Sequence, residues 1–358
     1  MKSRKIREIV LGKALDPLKA ETRHSLALVA FLAWVGLGAD GLSSSAYGPE
    51  ETFRALGEHT HLGLYMAIAT AVTVFIIALA YNQVIELFPT GGGGYRVASK
   101  LVGPYMGLIA GCALVLDYVL TIAISVAAGV EALASLLPLG FHPYKLWAEA
   151  LFIGLLIILN LRGMKEAIRI LLPIFLGFVV THFTLIVYGI IAHASYLPAL
   201  IPSTLSETTA LVSNIGWISV AGMLLLAYSQ GGGTYTGLEA VSNNVNILAE
   251  PRVHTGKMTM IYMALSLAFT ASGIILLYLL WDAKPVEGQT LNASTFKAII
   301  ESIGFGGEWG NRIALTVVLI FEAGLLFVAA NTGFLGGPAV LANMAADSWV
   351  PHKFRYLS

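Results

Sequence analysis

Apolar runs near or above the roughly 20 residues needed to cross a bilayer recur from Leu26 to Asn343, separated by short polar links. Inside lipid a backbone must satisfy its own amides and carbonyls, so such runs are expected to be helices and not open sheets. Setting the runs against Gly, Pro and charged punctuation gives eight expected spans, at about 26–55, 63–88, 104–137, 145–162, 167–193, 213–247, 257–282 and 311–343. The chain therefore reads as an all-α polytopic membrane protein. Its composition agrees, because only 12% of residues are charged, about half the share usual in soluble domains.

The charges also orient it. If the links alternate sides, sixteen of the 21 basic residues fall on the side of the N-terminus, and Arg54, Lys145, Lys284, Lys297 and Arg312 fall on the other. The positive-inside rule then makes the N-terminus cytoplasmic, in a multi-pass protein of the plasma membrane. Zero net charge and the lack of a basic tract interleaved with aromatics give no reason to invoke nucleic acid. Residues 1–25 hold seven Lys or Arg and read as a cytoplasmic tail, amphipathic through Ile6, Ile9, Val10 and Leu11. The single cysteine, Cys112, lies in an apolar run and reads as a small packing residue, with no disulfide framework or Cys/His metal cluster available.

Two of the eight runs contain what a continuous helix avoids. The first carries Gly36-Leu37-Gly38-Ala39-Asp40-Gly41 and then Ser43-Ser44-Ser45-Ala46-Tyr47-Gly48-Pro49; the sixth carries Tyr228-Ser229-Gln230-Gly231-Gly232-Gly233-Thr234-Tyr235-Thr236-Gly237. Glycine costs roughly 1 kcal/mol in a helix interior, and freed backbone groups in lipid cost several more, so such breaks must face protein, water or solute. They lie five runs apart, the spacing an inverted repeat of five helices requires when discontinuous helices meet at the membrane midplane. Two glycine-rich packing kinks are the alternative. On the repeat reading, residues 26–193 form a first five-helix unit, 213–343 an incomplete second one, and 344–358 a cytoplasmic link towards a missing ninth span.

Polar residues within these runs mark a site. Asp40 is expected in the middle of the first break, where an ionised carboxylate costs at least about 3 kcal/mol unless paired or coordinated; it is a cation ligand or a cap of the broken helix. Tyr47, seven residues on, is reckoned two helical turns away on a similar face. In the third run Asp117 precedes Tyr118, Thr121 and Ser125, three hydroxyls stacked at steps of three and four. Oxygen ligands in a row suit a hard, partly dehydrated cation, although lone membrane hydroxyls also bond back to their own helix. Thr236 and Glu239 close the sixth break, Glu239 at the start of a second half-helix as a proton acceptor or a cap. Asn331 and Thr332 are candidates for one more ion-site oxygen. Glu86, Glu131, His182 and Glu322 read as end residues or satisfied polar contacts, and Pro89 to Arg96 as a turn on the cytoplasmic side that lets helices pack closely. Neither break has the spacing of a phosphate loop, and no nucleophile elbow appears, so an enzyme is not expected.

The segments Pro89 to Arg96, Gly38-Ala39-Asp40 to Glu50, and Gly237-Leu238-Glu239-Ala240-Val241-Ser242-Asn243 resemble the amino acid/polyamine/organocation (APC) permease superfamily, and within it the KimA-type potassium/proton symporters of the KUP group. The likeness covers essentially the whole chain. It implies a LeuT-type 5+5 inverted-repeat fold, proton-driven potassium uptake and a homodimer, with no cofactor beyond the transported ions. It also implies a potassium path lined by Asp40, Tyr47, Asp117, Tyr118, Thr121, Ser125, Thr236 and Glu239. Members of that group have about ten or twelve spans and a cytosolic C-terminal domain, so this chain is expected to be a fragment or a truncated reading frame of such a transporter. An amino acid permease on the same fold and a non-transporting membrane scaffold or sensor are the rival readings.

Overall fold

The computed structural model describes residues 28–162 and 167–355, and the expected amphipathic tail lies outside them. Thirteen helices order the described residues: α1 Ala30–Ser43, α2 Gly48–Ala55, α3 Gly63–Leu87, α4 Gly93–Val97, α5 Pro104–Ala134, α6 Lys145–Arg162, α7 Ala167–Ala192, α8 Leu197–Ile215, α9 Trp217–Gln230, α10 Ala240–Asn243, α11 Arg252–Leu280, α12 Leu291–Ile303 and α13 Gly307–Ala346. Among the described residues the one strand-like pairing is a parallel bridge between Leu28 and Leu248, which ties the approach to α1 to the chain just after α10.

Among the described residues, six helical segments are long and apolar enough to cross a membrane: Thr60–Leu87, Pro104–Ala134, Leu139–Ile158, Leu171–Ala192, Arg252–Leu280 and Gly307–Ala346. They coincide with the six uninterrupted runs of the sequence. Their outer faces carry exposed Ile76, Leu79, Ile109, Leu116, Leu120, Leu146, Trp147 and Leu151, a continuous apolar surface that water would not tolerate on a soluble monomer. Cys112 is exposed on this same outer surface, so the packing role expected for it is wrong. The most enclosed helix is α11, which packs against α1, α3 and α10 through Met260, Met263, Leu267, Ala268 and Ala271. A second layer joins α1, α7 and α13 through Val35, Ala39, Leu42, Phe175, Phe178 and Leu325. At roughly 1.5 Å per residue, the 40 residues of α13 run ~60 Å, twice the hydrocarbon thickness, and its C-terminal half, from Phe327 to Met344, lies along α5.

The two interrupted runs are interrupted in space, at positions that refine the expectation. Helix α1 continues through Gly36–Gly41 and ends only at Ser43, so Asp40 sits in its last turn and not in the middle of the break. The reason is local. Ser43, Ser44 and Ser45 donate their hydroxyls to the carbonyls of Asp40, Gly41 and Leu42, three residues back, which tightens the chain into a single turn of 3₁₀ geometry over Ser44–Ala46. Pro49, with no amide to donate and a ring that would clash one turn back, forces a new start at α2. The seven-residue reckoning for Tyr47 assumed an unbroken helix and fails for this reason, since Tyr47 is the residue that joins the two pieces (φ −124°, ψ −36°).

In the sixth run α9 gives way to a tight turn over Gly231–Tyr235, then to extended backbone at Thr236 and left-handed backbone at Gly237 (φ 85°). The second half-helix expected there amounts to the single turn α10, preceded by Glu239. Two further helices, α8 and α12, occupy stretches that hydropathy left as links. Of the paired acids outside the breaks, Glu86 meets Lys257, Glu131 meets Lys145, and His182 meets Glu322, as expected of satisfied contacts.

Candidate functional site

The two breaks run antiparallel against each other, held close by glycines. A side chain added at Gly48 would strike Thr234, at Gly233 the Tyr47 ring, and at Gly237 the backbone of Asp40 and Gly41. Ser44 also reaches across to donate to the Thr234 carbonyl at 2.7 Å. This contact places unsatisfied helix ends of both runs next to one another inside the bundle, where their freed polar groups can only meet protein or a polar occupant.

Around the crossing stand the residues that the sequence singled out. Asp40 is 2% exposed, and its Oδ2 accepts a hydrogen bond from the Thr332 hydroxyl of α13 at 2.8 Å. The Tyr47 hydroxyl lies 3.5 Å from the Thr236 hydroxyl and 3.4 Å from the Gly233 carbonyl, which also accepts the Thr236 hydroxyl at 2.9 Å. Glu239 is buried below the crossing, and its Oε1 has no hydrogen-bond partner in the protein. Asp117, half-buried on α5, stands near enough to Asp40 and to Glu239 for the three charges to interact.

The hydroxyl ladder of α5 shares one face, as its spacing required, and that face is buried, with Tyr118, Thr121 and Ser125 at 3%, 4% and 1% exposure. Its members differ in what they can offer. Tyr118 accepts a hydrogen bond from Asn243 of α10 at 2.9 Å, and its ring is covered by Gly336. Ser125 does not bond back to its own helix, and its Oγ is buried with no partner. Thr121 and Ser125 lie one and two turns along α5 and make no hydrogen bond to the residues at the crossing. The structure thus brings Asp40, Tyr47, Thr236 and Thr332 into one contact set, with Asp117, Tyr118 and Glu239 around it and Thr121 and Ser125 at a distance.

Three neighbours add to the set. Thr332 proves to be the direct partner of Asp40, whereas Asn331 turns away to accept from Asn160 of α6. Asn243 fixes the Tyr118 hydroxyl. Tyr81 of α3 stands within electrostatic reach of Glu239 and Asp117; its only sequence signal was a polar Tyr81-Asn82-Gln83 triplet in an otherwise apolar run. The turn Pro89 to Arg96 packs on α10 as its glycines suggested. The Gly92 amide donates to the Asn243 carbonyl at 3.2 Å, and at Gly93 any side chain would strike the Asn243 amide.

A helical bundle of membrane-crossing length, with two broken segments crossing at a buried, oxygen-lined point, defines a permease and not an enzyme. The family model described as amino acid permease matches residues 41–358, and the chain belongs to that family of membrane transporters. Over 354 residues it is 32% identical to the potassium transporter KimA of Bacillus subtilis (strain 168), an alignment covering 98% of this chain and 55% of that protein. The chain spans about half the length of this curated relative.

Proposed function

We propose that this chain carries the cation pathway of a proton-coupled potassium importer, with the ion held at the crossing of the two breaks. The observation that carries the reading is a buried oxygen short of a partner: Glu239 Oε1 bonds to nothing in the protein, beside the Asp40, Tyr47 and Thr236 contacts. Buried polar atoms are nearly always satisfied, so unpaired acceptors in a membrane interior favour a cation or ordered water between them. The role of KimA as a potassium transporter supports potassium as that cation.

In this reading the ion enters from outside, loses part of its water to Asp40, Tyr47, Thr236 and the Asp117 to Ser125 face, and leaves inward. Glu239 carries the coupled proton. The fold would be the 5+5 inverted repeat, with residues 26–193 as one unit and 213–343 as part of the other, and runs one, two, six and seven rocking against the rest. The N-terminus would be cytoplasmic. An amino acid permease is favoured by the family description, but three carboxylates around one point would repel the carboxylate of a zwitterion while attracting a bare cation. The test is rubidium uptake in a bacterium lacking potassium import, with this chain supplied and compared with Asp40→Asn and Asp117→Asn. Uptake abolished by either substitution and by a protonophore supports the proposal. Entry of a labelled amino acid in place of rubidium sinks it.

A further inference from the structure

At the end of the bundle where α5 stops and α12 turns into α13, a cavity of about 490 Å³ opens between the three helices. Its volume lies within the roughly 300–1,000 Å³ usual for a small-molecule site, and the transport reading does not use it. The sequence builds it with a tight reversal. Gly304 and Gly306 take left-handed backbone (φ 76° and 70°), so α12 and α13 are joined by Gly304-Phe305-Gly306 alone and their sides meet across the cavity. Ser135, just past α5, fixes the third wall. Its hydroxyl donates to the Glu131 carbonyl at 3.0 Å and accepts the Thr290 amide at 3.0 Å, which ties the end of α5 to the cap of α12.

The walls carry both signs of charge. Lys297 and Glu301 come from α12, and Glu308 and Arg312 from α13, each pair one turn apart on its own helix. Either spacing allows an ion pair along the helix. Among the described residues, however, none of the four forms one. Asn311 adds an amide whose oxygen already accepts the Phe305 amide at 2.9 Å, leaving its hydrogens to donate. Leu136 and Leu315 add apolar surface. An anion alone in this space would meet Glu301 and Glu308, and a cation alone would meet Lys297 and Arg312, so the matching occupant carries both charges on one short frame.

The depth of the cavity in the bilayer follows from α13. Trp309, Ile313, Val317 and Ile320 recur at steps of four, four and three and are 78%, 60%, 41% and 51% exposed. They form an apolar stripe that faces outward from a helix of membrane-crossing length. Glu308, Arg312 and Leu315 recur at steps of four and three on the flank beside it, so the lining of the cavity and the lipid-facing stripe share the first turns of one helix. A Trp at the head of such a stripe marks the headgroup layer, and Phe305 of the reversal is exposed there as well. We infer that the cavity holds the headgroup of a zwitterionic phospholipid with a primary ammonium, a phosphatidylethanolamine. Its phosphate meets Arg312 and Lys297, its ammonium donates to Glu301 and Glu308, and its acyl chains descend along Ile313 and Val317. The methylated ammonium of phosphatidylcholine has no hydrogen to donate to the two carboxylates, and phosphatidylglycerol has no cation to offer them.

The test titrates the purified chain in detergent with phosphatidylethanolamine, phosphatidylcholine and phosphatidylglycerol of identical acyl chains, and native mass spectrometry gives the affinity for the first lipid bound. Phosphatidylethanolamine should bind at least about tenfold more tightly than the other two, and Arg312→Gln should lower its affinity about tenfold. Glu301→Gln with Glu308→Gln leaves the two cations in place and should turn the preference to phosphatidylglycerol, a gain of affinity that a misfolded protein would not imitate. Equal affinities for the three lipids in wild type, or a phosphatidylethanolamine preference that survives in both variants, overturn the site. Glycerophosphoethanolamine, the headgroup without acyl chains, is the competitor that identifies the source. Displacement of the lipid at equal concentration would assign the cavity to a free zwitterion and overturn the lipid inference; no displacement supports it. None of these outcomes depends on which solute the ion site carries.

Discussion

Replacing Gly237 with Ala tests whether the crossing of the two breaks is held as tightly as its geometry indicates. Gly237 has φ 85°, and an added Cβ would lie 2.8 Å from the Asp40 carbonyl carbon and 2.9 Å from Asp40 Cβ, with the Gly41 amide nitrogen nearer still. Ordinary contact begins at 3.4 Å, so these backbone atoms must part by at least about 0.6 Å, and no flexible side-chain end is available to yield. Left-handed backbone costs a side-chain-bearing residue about 1–2 kcal/mol. Overpacking adds about 1–3 kcal/mol. The expected loss is therefore about 2–5 kcal/mol, together with displacement of Thr236 and Glu239 from Asp40. Gly232, five residues earlier in the same turn, is the control, because an added Cβ there meets nothing within 4 Å and its φ is not positive. Unfolding in detergent should separate the two variants clearly, with Gly232→Ala within about 0.5 kcal/mol of wild type. Equal stabilities for the two would refute the close crossing from which the site is built.

Three further outcomes follow from single contacts. Thr332→Val removes the donor to Asp40 but no charge; a hydrogen bond to a charged group contributes about 1.5–3 kcal/mol, so potassium should bind roughly ten- to a hundredfold more weakly, measured by isothermal titration. His182→Leu leaves Glu322 buried without its partner and should destabilise the protein by about 3–5 kcal/mol, whereas His182→Leu with Glu322→Leu should recover much of that loss in a double-mutant cycle. Glu131→Gln cuts a pair with Lys145 that is partly exposed to solvent, and its effect on thermal stability should stay below about 1 kcal/mol.

How much of this was legible in the sequence depends on the physics behind each element. The uninterrupted membrane helices were plain, because a run that must satisfy its backbone within lipid has few alternatives to a helix. Both breaks were legible from glycine and proline, but not their ends: α1 persists through Gly38 and Gly41, where close packing against Met263 of α11 outweighs the weak helix preference of glycine. Helices α8 and α12 were missed because hydropathy seeks runs of membrane length, whereas these declare themselves by periodicity. In α12, Leu291, Asn292, Thr295, Phe296, Ile299 and Ile300 form one buried stripe, started by the Thr290 cap on the Ala293 amide and ended at Gly304 in the left-handed region. In α8 the stripe is Leu200, Thr204 and Leu211. The contact of Asp40 with Thr332 joins residues 292 positions apart, and no local pattern encodes which polar residue of α13 will face α1. The spacing of the three ladder hydroxyls put them on one helix face, and that face is buried, yet the bond that holds Tyr118 comes from Asn243, a residue of another run.

The most direct measurement of the central claim is potassium affinity in wild type and Asp40→Asn, determined calorimetrically on purified protein with a neutral amino acid as the competing ligand. A carboxylate about 4 Å from the ion contributes up to about 4 kcal/mol at an effective dielectric near 20, which sets a ceiling of roughly a thousandfold. The account predicts potassium binding in wild type, a loss of tenfold or more in Asp40→Asn, and no competition from the amino acid. Equal potassium affinity in the two proteins, or an amino acid that binds in potassium's place, would contradict it.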